Sequence, residues 1–85
     1  MKSYTIRFTR EAAKDVAKLT PKLKEKLREI LLNAVATEPY AGKRLVGDLA
    51  GFYSVRLTFQ DRIVYTVDEK AHIITIHRAR THYGD

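Results

Sequence analysis

The sequence predicts an α+β fold: an N-terminal strand, a two-helix hairpin, then a three- to four-stranded antiparallel meander, with the helices packed on one sheet face. Three observations predict it. Residues 2–9 alternate between apolar and polar side chains, which is the period of a half-buried strand. Helical spacing follows over Arg10–Leu19 and from Pro21 to a stop at Pro39. Short alternating runs separated by turn residues then occupy the C-terminal half, and the length of 85 residues predicts one domain, residues 1–85.

Each predicted helix begins at a cap. Thr9 precedes the first helix and Thr20-Pro21 the second, because a threonine hydroxyl accepts from an unpaired amide and proline suits the first helical position. The second helix has an apolar stripe at helical spacing, formed by Leu23, Leu27, Ile30, Leu31 and Ala34. Its other positions are largely basic, at Lys22, Lys24, Lys26 and Arg28, and we expect them to form a solvated face.

The chain after Pro39 is irregular and rich in glycine, and we expect a short strand around Arg44–Val46 within it. Three longer strands follow, at Phe52–Phe59, Arg62–Val67 and His72–Ala79. The apolar set of the first is Tyr53, Val55, Leu57 and Phe59. The third is apolar on both faces, as a central strand would be. With the helices on one face, we expect the other face to be open and to carry Arg56 and Arg62.

The composition is basic, with 16 lysines and arginines against 10 acidic residues and a net charge of +6. Such an excess attracts phosphate chains, acidic proteins or anionic membranes, although a merely soluble basic domain has it too. No apolar run reaches the roughly 18 residues of a spanning helix, and the first strand begins without a signal peptide. We therefore expect a cytoplasmic protein that binds no membrane.

The sequence lacks the residues and motifs on which several kinds of functional site depend. The chain has no cysteine, and no carboxylate is placed beside His77 and His82, so we expect no metal site and no cofactor. There is no P-loop, no dinucleotide-binding glycine motif and no nucleophilic serine motif. A small-molecule ligand is accordingly not expected.

Basic residues cluster on and before the C-terminal strands, at Lys43, Arg44, Arg56, Arg62, Arg78 and Arg80. Strand arginines often do no more than solubilise an exposed sheet face. Six basic residues together predict a face for phosphate, which the planar arginine fork holds by two hydrogen bonds. The tail adds His82, which can move a proton near neutral pH, and Tyr83, on which an unstacked base can rest.

Three segments carry a resemblance to a known family. They are Leu49-Ala50-Gly51-Phe52-Tyr53-Ser54-Val55-Arg56-Leu57, then Asp61-Arg62-Ile63-Val64-Tyr65, then Arg80-Thr81-His82-Tyr83. Together they resemble the RelE/ParE toxin superfamily, closest to the YoeB branch of its mRNA interferases. The resemblance implies a RelE-like fold and a type II toxin that enters the ribosome and cuts messenger RNA. It also implies two partners, a cognate antitoxin protein and the ribosome with bound mRNA.

The resemblance assigns roles to individual residues. Arg56 and Arg62 match the strand arginines that bind the scissile phosphate, and Arg80 matches an arginine near the end of the last strand. His82 and Tyr83 match a terminal pair in which the histidine is a general acid and the tyrosine positions the RNA. The implied activity is a metal-independent endoribonuclease in which the ribose 2′-hydroxyl attacks the adjacent phosphate.

Other positions depart from the family pattern. Ser54 and Arg56 stand where the RelE branch has two lysines, and Ser54 is therefore a candidate RNA-binding residue with Lys43, Arg44 and Arg78. The loop before the motif lacks the glutamate that the YoeB branch has there, which leaves the general base open. The main alternative is a ParE-like inhibitor of DNA gyrase without nuclease activity. A catalytically inactive RNA-binding domain is a third interpretation.

Overall fold

The computed structural model describes the backbone of residues 4–81 and the side chains of residues 4–79. Its main elements are two helices and five strands. In chain order they are β1 (Thr5–Phe8), α1 (Arg10–Ala17), α2 (Pro21–Ile30), β2 (Lys43–Arg44), β3 (Tyr53–Arg56), β4 (Asp61–Asp68) and β5 (Ile73–Thr81). A π-helical turn, Leu31–Val35, continues α2 without a break.

All five strands form one mixed sheet in the order β1-β5-β4-β3-β2. Strands β2 to β5 are an antiparallel meander, while β1 pairs with β5 in parallel, from Thr5 opposite Ile73 to Phe8 opposite Ile76. The predicted α+β class is confirmed, including the short strand of the irregular segment, which lies at Lys43–Arg44. The strand β5, expected to be central, is an interior strand with a neighbour on each side.

Both helix caps form as predicted. The hydroxyl of Thr9 accepts from the Ala12 amide at 3.1 Å, and that of Thr20 accepts from the Leu23 amide at 3.2 Å. The predicted apolar stripe of α2 is wrong at its end, because Ala34 is exposed and Val35 is buried. The π-helical turn, closed by the Ala36 amide on the Leu31 carbonyl at 2.8 Å, moves the buried position by one residue.

The hydrophobic core lies between the helices and one face of the sheet. Its buried members are Ala12, Leu27, Leu31, Val35, Leu57, Ile63, Tyr65, Ile74 and Ile76. On β4, Ile63 and Tyr65 alternate with Arg62 and Val64, so the arginine and the valine lie on the opposite face. The core therefore fixes which side of the strands the basic residues occupy.

The opposite face is not fully open, which corrects the expectation from the sequence. Ser54 and Val64 lie on it, yet each is only 3% exposed. The segment that links β2 to β3 folds back over them, with the Leu45 amide donating to the Phe52 carbonyl at 2.9 Å. The ring of Phe52 packs edge-on against His77 at a centroid distance of 4.9 Å. The segment thus covers part of this face.

The strand predicted at Phe52–Phe59 is shorter in the structure. β3 ends at Arg56, and residues 57–60 turn the chain into β4. Leu57 is buried in the core as predicted, but Phe59 is exposed at the turn. The alternation of buried and exposed side chains ends there because residues 57–60 form the hairpin turn, which does not follow the period of two of a strand.

Candidate nucleic-acid interface

Three arginines occupy one line across the sheet. Arg56 of β3 pairs directly with Arg62 of β4, and Arg62 pairs on its other side with Arg80 of β5. Directly opposed residues of antiparallel strands have Cα atoms about 4.5–5.5 Å apart and project to the same face. We call these three positions the arginine row. It runs across the face that the helices do not cover.

The pairing of Arg56 with Arg62 is unfavourable for an isolated protein. Like charges placed directly opposite on neighbouring strands are destabilising. Among the described side chains, no carboxylate forms an ion pair with Arg56 or Arg62, and the described ion pair is that between Arg78 and Asp15. An anion between the guanidinium groups would remove the repulsion, and a phosphate has the geometry for bidentate hydrogen bonds to arginine.

A pocket of about 200 Å³ adjoins the arginine row. We call it the serine pocket; its lining residues are Lys43, Leu45, Ser54, Arg62 and Val64. The sheet register explains the grouping, because Lys43 pairs with Ser54 and Ser54 pairs with Val64 in one line parallel to the arginine row. Arg62 belongs to both features, so the pocket and the row form one continuous basic surface.

Ser54, one of the residues that line this pocket, has a buried and unsatisfied hydroxyl. Its side chain is buried, and its Oγ has no hydrogen-bond partner among the described residues. Such a group in a protein interior costs about 1–3 kcal/mol, and each native example calls for an explanation. The oxygen of an anion seated between Lys43 and Arg62 could accept the hydroxyl hydrogen. The pocket therefore has the donors of an anion site.

Lys43 reaches this surface because of a close approach on the other side of the sheet. The Tyr65 hydroxyl donates to the Pro39 carbonyl at 2.6 Å, and burial raises the pKa of Tyr65 to about 12. Gly42 lies against that hydroxyl, and a Cβ at this position would collide with it. The anchored chain then enters β2 with Lys43 in register with Ser54.

A comparison with protein families identifies the family of this chain. A sequence model described as ParE-like toxin of type II bacterial toxin-antitoxin system matches residues 6–83. The chain belongs to this family. This match confirms the resemblance to the RelE/ParE superfamily that the C-terminal motifs of the toxin indicated. A comparison with curated protein sequences gave no significant match.

Solved structures resemble the toxin over nearly its whole length. The toxin-antitoxin complex RelBE2 from Mycobacterium tuberculosis has a chain with 32% identity and a TM-score of 0.84, covering 94% of this chain and 99% of that one. A YoeB/ParE toxin from Agrobacterium tumefaciens has 27% identity and a TM-score of 0.83, covering 93% of this chain and 99% of that one. The YoeB-YefM complex from Staphylococcus aureus has a chain with 29% identity and a TM-score of 0.78, covering 94% of this chain and 98% of that one. The RelE-like fold predicted from the sequence is confirmed.

The structure separates Lys43 and Arg44, which the sequence analysis grouped. Neighbouring strand residues point to opposite faces, and Arg44 pairs with Tyr53, whose ring packs against the core. Arg44 therefore does not line the serine pocket, whereas Lys43 does. A period of two applied to β2 would have shown the difference.

Arg78 has a structural partner on α1. Its Nε donates to Asp15 Oδ2 at 2.9 Å and its Nη2 to Oδ1 at 3.3 Å, while the Ala79 amide donates to the same carboxylate at 3.0 Å. The hydrogen bond to Asp15 raises the pKa of Arg78. The carboxylate thus ties α1 to β5 beyond the end of β1. The role of Arg78 in RNA binding stays a prediction, beside this structural role.

Three predicted residues are described in part or not at all. Arg80 is placed by its backbone register in the arginine row, and its side chain lies outside the described residues. His82 and Tyr83, the predicted acid and stacking residue, lie outside the described residues altogether. Their roles stay predictions.

The sequence analysis considered His77 only as a possible metal ligand, yet it is a packed residue of this face. It is the extra residue of a β-bulge, because Val64 pairs with Arg78 while Tyr65 pairs with Ile76. Its Nε2 and the Thr66 hydroxyl oxygen lie 2.9 Å apart, and burial lowers the pKa of His77. The imidazole is therefore a packed group that contacts Phe52, and its burial disfavours the charged form.

Within residues 4–81, no group of three or more histidine, aspartate or glutamate side chains has the arrangement of a metal site. In the same part of the chain, no helix is both long and apolar enough to cross a membrane.

Proposed function

We propose that the toxin is a ribosome-dependent endoribonuclease that cleaves mRNA at a phosphate held by the arginine row. The observation that carries the proposal is the direct pairing of Arg56 with Arg62 and of Arg62 with Arg80 across three strands. Opposed guanidinium groups on a face without described acidic partners bind an anion with two or more negative oxygens. Family membership and the similarity to RelE and YoeB toxins support RNA as the source of that anion.

The proposed reaction uses a nucleophile that belongs to the substrate. The ribose 2′-oxygen forms a bond to the adjacent phosphorus, and the bond from phosphorus to the 5′-oxygen breaks. The products are a 2′,3′-cyclic phosphate and a free 5′-hydroxyl. The proton of the 2′-hydroxyl goes to a base, and His82 supplies a proton to the leaving oxygen. A positioned acid or base contributes about 10²–10⁴-fold to such a step.

The arginines stabilise the charge of the transition state. Negative charge grows on the non-bridging oxygens as the fifth bond to phosphorus forms, and Arg56 and Arg62 face these oxygens. Preorganised donors of this kind typically contribute about 10²–10³-fold each. The Ser54 hydroxyl, buried beside Arg62, donates to one of the same oxygens or to that of the adjoining phosphate.

The ribosome has a physical role in this proposal. Among the described side chains no carboxylate forms an ion pair with Arg56 or Arg62, and the loop before the motif lacks the glutamate of the YoeB branch, so the general base is not assigned. In-line positioning of a 2′-hydroxyl and its phosphate lowers a barrier by about 7–11 kcal/mol, which compensates for a sparse set of catalytic groups. The ribosome would supply much of this alignment by holding the mRNA.

The test is cleavage in a translating extract, with transcript ends mapped by sequencing. We expect cuts at defined codon positions and 2′,3′-cyclic phosphate termini. Arg62→Ala should lower the cleavage rate roughly 10²–10³-fold, while the matched control Lys22→Ala, on the exposed helical surface, leaves it unchanged. Intact transcripts, together with inhibition of supercoiling in a gyrase assay, would replace this function by that of the ParE-like alternative.

The antitoxin is the second proposed partner. The RelBE2 and YoeB-YefM structures are toxin–antitoxin complexes. In this toxin, an apolar groove of about 260 Å³ lies between β1 and α2. Its lining residues are Ile6, Phe8, Val16, Lys24, Leu27, Arg28, Leu31 and Leu32. We propose that an amphipathic acidic segment of the antitoxin fills it, its carboxylates meeting Lys24 and Arg28.

A substitution in the groove tests whether the antitoxin binds there. Leu32 is 49% exposed, so Leu32→Glu should leave the fold intact while a buried negative charge at the contact weakens the complex. Copurification of the toxin with a tagged antitoxin measures the effect, with Lys22→Glu as the control. Unchanged copurification of Leu32→Glu would place the antitoxin elsewhere.

A further inference from the structure

Phe59 is the most exposed large apolar side chain among the described residues. Its exposed fraction is 89%, against 43% for Phe8, and Phe52 is half-buried against His77. Its ring has no aromatic neighbour in the described part of the chain. A phenylalanine in this position gains nothing from the hydrophobic core, so its ring is available to a ligand.

The turn that carries Phe59 is held firmly. The Thr58 hydroxyl accepts from the Gln60 amide at 3.1 Å and from the Asp61 amide at 2.9 Å, and it donates to Asp61 Oδ2 at 2.9 Å. The amides of Leu57 and Thr58 both donate to the Asp61 carbonyl, at 2.8 and 3.2 Å. The exposed ring therefore sits on a preorganised support, which reduces the entropy lost when a ligand binds.

The position of the turn relates the ring to the arginine row. Residues 57–61 join Arg56 directly to Arg62, so Phe59 is three residues from each of them along the chain. At about 3.3 Å per residue, its backbone lies within roughly 10 Å of both. A flat apolar surface beside paired guanidinium groups is the combination by which proteins hold single-stranded nucleic acids.

We propose that Phe59 is a nucleobase-stacking residue: when the arginine row binds a phosphate of single-stranded RNA, a neighbouring unpaired base lies on the Phe59 ring. This inference rests on the proposed function and adds a contact on the base to those on the backbone. Every base has a π face, so Phe59 fixes the position of the strand rather than its sequence. The stack is distinct from that predicted for Tyr83, because it is carried by the β3–β4 turn.

The chain offers a direct spectroscopic test because it has no tryptophan. In Phe59→Trp, the single indole reports its own surroundings. We expect its fluorescence to be quenched when the toxin is titrated with a single-stranded RNA carrying 2′-O-methyl groups, which cannot attack the phosphate. A duplex of the same sequence, whose bases are paired, should quench it far less. The control Phe8→Trp, on β1 at the far edge of the sheet, should show no quenching by either RNA.

The affinity for the same 2′-O-methyl RNA provides the second readout. We expect Phe59→Ala to weaken binding roughly 5- to 150-fold, the range of one base–aromatic stack, and Phe59→Tyr to retain the wild-type affinity. Unquenched Phe59→Trp, with RNA affinity unchanged in Phe59→Ala, overturns the stacking proposal.

The Arg62→Ala variant separates the two proposals. If Arg62→Ala loses RNA binding while Phe59→Ala keeps it, the proposed function stands and the stacking contact fails. If the wild-type toxin binds no RNA and Phe59 instead affects copurification with a protein partner, both proposals fail and the turn is a protein contact.

Discussion

Ile63 and Arg62 are consecutive residues of β4, yet they belong to two different environments. Ile63 is fully buried among helix and strand side chains, whereas Arg62 lies on the opposite face, opposite another arginine and beside an unsatisfied serine hydroxyl. The helix-facing side is a buried, apolar core. The other side breaks two rules of a stable fold, by opposing like charges and by burying a polar atom without a partner. Such local violations are expected where a protein binds its ligand.

Substitution of Ile63 should have the largest effect on stability. Ile63→Ala removes a fully buried side chain and should lower the free energy of unfolding by about 2–5 kcal/mol, measured by urea denaturation. The neighbouring Arg62→Ala should change it by no more than about 0.5 kcal/mol, because the lost contacts are on a solvated, repulsive surface. Equal losses in the two variants would mean that both faces contribute to the core.

Substitution of Ser54 should separate stability from binding. Ser54→Ala removes the unsatisfied hydroxyl, so we expect the free toxin to gain about 1 kcal/mol, a rise in Tm of roughly 4–8 °C. Its affinity for single-stranded RNA should fall several-fold, because the anion loses a donor. A drop in Tm would show instead that the hydroxyl has a partner in the native protein.

The protonation of His77 should produce the smallest effect. Burial lowers its pKa, so the unfolded chain takes up a proton near the ordinary value of 6.5 while the folded chain does not. The free energy of unfolding should therefore decline as the pH is lowered below about 6.5, and no such term exists above it. Thermal unfolding of His77→Asn against pH should show a weaker decline than the wild type. Identical slopes would assign the acid sensitivity to other groups.

The sequence was most informative where the contacts are local. The caps at Thr9 and Thr20 each depend on the residue three positions further on, and strand alternation places Arg56 and Arg62 opposite the core. The family was predicted from the resemblance of three motifs. Composition and periodicity alone did not distinguish a toxin of this family from a merely soluble basic domain.

The errors lie where distant segments meet or where a period changes. The parallel pairing of β1 with β5 and the ion pair of Asp15 with Arg78 each join residues more than 60 positions apart. The cover over Ser54 brings Phe52 against His77, two residues 25 positions apart in the sequence, and the β-bulge at His77 shifts the faces of Arg78 and Ala79 by one residue. A π-helical turn and a hairpin turn interrupt the periods that placed Ala34 and Phe59 inside.

The most direct test of the shared phosphate is a double-mutant cycle between Arg56 and Arg62, with the mRNA cleavage rate as the readout. If both guanidinium groups hold one phosphate, removing the second after the first should cost much less than removing it alone, with a coupling of about 0.5–3 kcal/mol. Losses that multiply independently would contradict a single phosphate held between the two arginines.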